Sequence, residues 1–117
     1  MPRSKKKLKE LTPSELAAIL KNGTYKKGIG ALYYRPRNEY CCLGVYANEM
    51  GLLKSRPERN LGHVENLTTY LPRTCRPSWM NEDIMDELIR RNDNNDTWQQ
   101  VIEFLESLIW YGGKALI

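Results

Sequence analysis

The chain has 117 residues, 41% hydrophobic and 27% charged, with a formal net charge of +4. That length suits one domain that buries about two thirds of its unfolded surface and folds without covalent staples. No apolar run approaches the roughly 20 residues of a membrane span, and the lysine-rich residues 1–10 lack the apolar stretch that completes a signal peptide, which argues against secretion.

Residues 1–10 read as a flexible basic arm and residues 11–117 as a single domain. Thr12-Pro13-Ser14-Glu15 is a helix start: Thr12 can cap the first turn, Pro13 sits where its missing N–H costs nothing, and Glu15 can close a capping box. Leu16, Ile19 and Leu20 share one face of that helix, and Gly23 is placed to end it in a left-handed conformation. Gly28 and Gly30 bracket a turn. Residues 31–34 and 39–42 read as two strands joined by Arg35-Pro36-Arg37-Asn38, a β-hairpin. A short helix follows over 43–50, stopped by Gly51. Gly44 inside it costs about 1 kcal/mol relative to alanine, which points to a packing reason such as the close approach of another backbone.

Residues 52–77 mix charges and prolines with Val64, Leu67, Tyr70 and Leu71. They read as a long loop or a second small hairpin, and a loop of that length is usually functional. Helical spacing resumes over 79–91, with Ile84, Met85, Leu88 and Ile89 on one side. Its acidic start and its Arg90-Arg91 end both suit the helix dipole. Residues 92–95 read as a loop, and Asp96-Thr97-Trp98-Gln99 as a second capping box. Trp98, Val101, Ile102, Leu105, Leu108 and Ile109 then mark a strongly amphipathic helix over 97–110, ended by Gly112-Gly113. The fold class expected is α+β, a small antiparallel β-hairpin packed against three or four helices.

Charge is divided unevenly. Residues 1–76 carry 15 Lys/Arg against 6 Asp/Glu, whereas residues 77–117 carry 3 against 8. The first part of the chain should therefore attract anions. Cys41, Cys42 and Cys75 show no Cys-x-x-Cys spacing, and His63 is the single histidine. These four residues are too scattered for structural zinc, so no metal or cofactor is expected. Reduced, buried thiols and a cytoplasmic location follow from the same pattern.

Three stretches carry a family resemblance. They are residues 22–32, Asn-Gly-Thr-Tyr-Lys-Lys-Gly-Ile-Gly-Ala-Leu; residues 40–45, Tyr-Cys-Cys-Leu-Gly-Val; and Asn92-Asp93 followed by residues 98–106, Trp-Gln-Gln-Val-Ile-Glu-Phe-Leu-Glu. Together they resemble small phage and prophage proteins that carry a Cys-Cys-Leu-Gly-Val segment, over roughly half the chain. Lys27 stands where that family usually has Gln, and Trp98 where it usually has Phe. The resemblance implies a phage or prophage origin and an accessory role, possible action against host defences included, but no particular activity.

Candidate chemistry lies in the first half. Nucleophilic use of Cys41 or Cys42 with His63 as base would need an activating arrangement that the sequence does not show, and core thiols are the simpler reading. Glycines around Lys26 and Lys27 can turn backbone N–H groups toward an anion, although this is no P-loop. Arg35 and Arg37 flank the hairpin turn, and Tyr34 offers a stacking face. Cations interleaved with tyrosines suit a nucleotide or a single strand. Arg56, Arg59, Arg73 and Arg76 could bind phosphate or pair internally. The expectation is a non-enzymatic protein that captures an anionic nucleotide through Lys26, Lys27, Tyr34, Arg35 and Arg37. The alternatives are direct inhibition of a host protein and nucleic-acid binding.

Overall fold

A computed structural model describes residues 10–53 and 70–108. Residues 1–9 of the expected basic arm, His63, Arg56, Arg59 and the Gly112-Gly113 stop lie outside the described residues. The elements in chain order are α1 (Pro13–Lys21), β1 (Lys26–Lys27), β2 (Tyr33–Tyr34), β3 (Glu39–Tyr40), α2 (Cys42–Glu49), α3 (Glu82–Asp93) and α4 (Gln99–Leu108). One-turn 3₁₀ segments, Arg35–Arg37 and Arg73–Cys75, link β2 to β3 and precede α3. The architecture is α+β: four helices and a small three-stranded mixed sheet. Among the described residues no helix is long and apolar enough to cross a membrane.

Local chemistry sets the helix ends. The Thr12 hydroxyl accepts from Glu15 N at 3.1 Å, while the Glu15 carboxylate accepts from Thr12 N at 2.9 Å, a closed capping box. Gly23 and Gly51 adopt φ of +80° and +72° just beyond α1 and α2, as the stop signals require. Asn81 caps α3 by accepting from Ile84 N at 2.9 Å. At α4 the hydroxyl on the first turn is that of Thr97, which accepts from Gln99 N. This replaces the Asp96–Gln99 box that the sequence suggested.

The sheet differs from a simple hairpin. Its order is β1-β3-β2, with β2 antiparallel to β3 and β1 parallel to it. The added strand is the lysine pair read from sequence as part of a glycine turn. The hairpin strands are also shorter than expected. Cys41 is already the N-cap of α2, and its N–H takes the Leu32 carbonyl at 3.2 Å. Ladder pairing thus passes directly into a helix start. Gly44 explains how the two segments come so close: a Cβ there would lie 1.7 Å from the Leu32 carbonyl oxygen. The backbone contact expected at Gly44 is present, and no other residue fits.

The core joins Leu16 and Leu20 of α1, Leu43, Val45 and Tyr46 of α2, Met85 and Leu88 of α3, and Val101 and Leu105 of α4. All three thiols are buried within it or at its margin. Lys21 and Glu106 pair across α1 and α4 at 2.5 Å, but both side chains are about half exposed, so the pair adds little beside the apolar contact. α3 continues through Asn92 and Asp93, two residues read from sequence as loop.

Candidate functional site

Successive residues of a strand point to opposite sides of a sheet. In the register Lys26↔Glu39↔Tyr34, three side chains share the outer face. Lys27↔Tyr40↔Tyr33 share the inner one. The structure therefore separates the two adjacent lysines that the sequence placed in one site.

On the inner face, Tyr40 meets Tyr33 with ring centroids 4.6 Å apart and Tyr25 edge-on at 4.8 Å. The Tyr25 hydroxyl donates to Glu49 and accepts from Asn48. Burial, and then the Glu49 hydrogen bond, push Tyr25 up to about 12. Lys27 reaches across to the end of α3. Its ammonium donates to the carbonyls of Asn92 at 2.5 Å and Asn95 at 2.6 Å, and it lies 5.9 Å from the Trp98 ring centroid. A cation on the last carbonyls of a helix satisfies their lone pairs and opposes the dipole. Burial holds the Lys27 pKa below its ordinary value. Two of its three donors are spent on the fold. Strand alternation turns Lys27 inward, and these contacts give it a positioning role in the fold.

Asn92 completes this arrangement. It is the fully buried polar residue among the described residues. Its Oδ1 accepts from Cys42 N at 3.1 Å, and its Nδ2 donates to the Gly28 carbonyl at 2.9 Å. One amide thus ties the start of α2 to the glycine turn, and the carbonyl of the same residue holds Lys27. Residues 27–28, Cys42 and Asn92, far apart in sequence, meet here. Cys41 and Cys42 sit against this node, and burial pushes Cys41 up to about 11 and raises Cys42 as well. Both thiols stay protonated at neutral pH, as core residues do.

The outer face is open. Lys26 is 63% exposed along its side chain, and Tyr34 is 41% exposed. Arg35 and Arg37 are exposed on the 3₁₀ turn, and the Arg37 guanidinium lies 5.9 Å from the Tyr34 ring centroid. Among the described residues neither arginine meets a carboxylate. Asn38, at φ +53°, turns the chain back, and its side chain accepts from the Tyr33 hydroxyl. Of the expected contacts, Lys26, Tyr34, Arg35 and Arg37 belong to one strand-and-turn surface. Ile29, 58% exposed, lies in the glycine turn that follows β1.

Sequence reasoning missed Glu39, the central residue of that face, and the buried Asn92. Alternation from Tyr34 across the hairpin could have placed Glu39. Asn92 entered the sequence analysis only as part of the Asn92-Asp93 resemblance; no periodicity or capping signal marks it, and its partners lie 50 and 64 residues away. The other arginines are placed differently: Arg76 Nε donates to the Leu71 carbonyl at 3.0 Å, and Arg73 is exposed on the second 3₁₀ turn. Among the described residues no group of three or more His, Cys, Asp or Glu could hold a metal ion.

No family model, curated protein or solved structure matches the chain.

Proposed function

We propose that the protein binds an anionic nucleotide on the outer face of its sheet and sequesters it without chemical conversion. One observation carries this reading. Arg35 and Arg37 stand exposed and unpaired among the described residues, with Arg37 beside the open ring of Tyr34. Guanidinium groups take phosphate in a planar fork, and an aromatic face stacks a base. The resemblance to phage proteins supports an accessory role in the cytoplasm of an infected cell, where a captured nucleotide would be a signal of host defence.

Calorimetric titration with cyclic and linear nucleotides, and with single-stranded and duplex nucleic acid, at two salt concentrations tests this. A single captured nucleotide gives a defined stoichiometry and a shallow salt dependence, whereas a polymer contact that neutralises many phosphates weakens steeply with salt. Lys26→Ala with Arg35→Ala should weaken nucleotide binding by at least about tenfold, since each charge-assisted contact contributes roughly 1.5–3 kcal/mol. Normal binding by that variant, together with loss in Arg73→Ala or Arg76→Ala, would move the site to the second 3₁₀ turn.

A second reading has its own observation. Ile29 and Tyr34 expose apolar surface near the arginines, and aromatic and Arg side chains dominate protein–protein hot spots. Direct binding to a host protein would use the same surface. It would leave the nucleotide titrations flat.

A further inference from the structure

The outer face is not simply basic. Glu39 lies at its centre, between Lys26 of β1 and Tyr34 of β2. Its side chain is only 18% exposed, yet among the described residues its carboxylate accepts no hydrogen bond. Its one cationic neighbour there is Lys26, at 3.9 Å. Gly28 makes room for it. A Cβ at Gly28 would fall 2.5 Å from the Glu39 Cβ and 3.1 Å from its Oε1. The glycine turn thus seats a carboxylate among the groups that would attract an anion.

This is a poor design for a bare phosphate. A carboxylate accepts hydrogen bonds and donates none, so it repels phosphate oxygens and leaves its own lone pairs unanswered. It suits a ligand that is anionic at one end and offers paired donors at the other. We infer that Glu39 reads a two-donor edge of the bound nucleotide, vicinal ribose hydroxyls or the N1–H and N2–H of guanine, while Arg35 and Arg37 hold its phosphate. Both sources present two adjacent donors to two carboxylate oxygens, the geometry by which acidic residues hold ribose in dinucleotide-binding folds. The inference rests on the nucleotide reading and adds selectivity to it: Glu39 rejects inorganic anions and accepts nucleotides.

The test is calorimetric titration of wild-type protein and Glu39→Gln with AMP, 2′-deoxy-AMP, GMP, 2′-deoxy-GMP and pyrophosphate. Glutamine keeps the shape beside Gly28, and an unchanged melting temperature would confirm folding. Wild-type protein should bind at least one ribonucleotide more tightly than pyrophosphate. Loss of a paired-donor contact should weaken binding roughly tenfold or more. A drop from AMP to 2′-deoxy-AMP identifies the ribose diol, and a drop from GMP to AMP identifies the guanine edge. Glu39→Gln should weaken the preferred nucleotide and tighten pyrophosphate, so that discrimination collapses. The inference is overturned if Glu39→Gln tightens nucleotide and pyrophosphate by the same factor, or if wild-type protein treats all four nucleotides alike. If Lys26→Ala with Arg35→Ala abolishes binding while Glu39→Gln does not alter selectivity, the nucleotide reading survives and this one fails. If wild-type protein binds none of the five probes, this inference falls, and titration with the cyclic nucleotides decides whether the nucleotide reading falls with it.

Discussion

Lys26 and Lys27 are identical neighbours with opposite surroundings. Lys26 projects from the outer face, mostly in water, with its ammonium 3.9 Å from Glu39. Lys27 turns inward and closes the carbonyl end of α3 through two short hydrogen bonds. The sheet has only two residues per strand, yet strand alternation is enough to divide one Lys-Lys pair into a solvent-facing cation and a structural one. The same division runs through the rest of the sheet. The inner face is built from tyrosines, Lys27 and the Asn92 node, and it is held by contacts distant in sequence. The outer face and its turn carry exposed charges around one half-concealed carboxylate.

The largest effect is expected at Gly44, where α2 meets the backbone just before β2. Gly44→Ala would drive a methyl group into the Leu32 carbonyl, and backbone cannot yield as a side-chain tip would. The expected loss is about 3 kcal/mol or more, or failure to fold, read by chemical denaturation. Wild-type stability in that variant would mean that the approach of α2 to Leu32 is loose.

Asn92→Ala should come next. It strands the Cys42 N–H and the Gly28 carbonyl, each costing about 1–3 kcal/mol when buried without a partner. Hydrogen exchange would show the start of α2 and the glycine turn losing protection together. Loss in only one of them would show that the amide does not couple the two.

The lysines themselves sharpen the contrast. Lys27→Met removes two charge-assisted bonds, to the carbonyls of Asn92 and Asn95, and should cost about 1.5–3 kcal/mol. Lys26→Met should stay within roughly 0.5 kcal/mol, as surface substitutions do. Equal effects in denaturant melts would contradict the assignment of faces.

The smallest effect concerns pH. Folded Tyr25 keeps its proton up to about 12, against an ordinary value of 10.0, so the folded state binds more protons than the unfolded chain across that interval. Its contribution is complete below pH 10 and is lost as pH rises through about 12. Cys41, moved from 9.0 to about 11, acts in the same direction at slightly lower pH. Melting temperature should therefore fall on alkaline titration, and Tyr25→Phe should flatten the part of the fall above pH 10. An unchanged slope would show that the Tyr25 hydroxyl is solvated rather than held by Glu49 and Asn48.

Much of the helical frame was legible in the amino-acid order. The Thr12–Glu15 box, the left-handed stops at Gly23 and Gly51, the apolar face of α4 and the hairpin turn at Arg35–Asn38 all follow from residues within about four positions of one another. Such signals are local, so sequence order states them directly. Even Gly44 announced its role, because a glycine costs too much inside a helix without a compensating contact. Tertiary structure alone decided the rest. The parallel pairing of β1 with β3 joins residues 13 apart by way of a whole hairpin strand and its turn, and two lysines carry no strand signal. Whether Lys26 or Lys27 faced solvent depended on that pairing. Asn92 read as a loop residue because its polarity is satisfied by groups 50 and 64 positions away, which no local pattern encodes. Burial of a polar amide becomes favourable only once its partners are in place, and that condition belongs to the folded chain rather than to any segment of it.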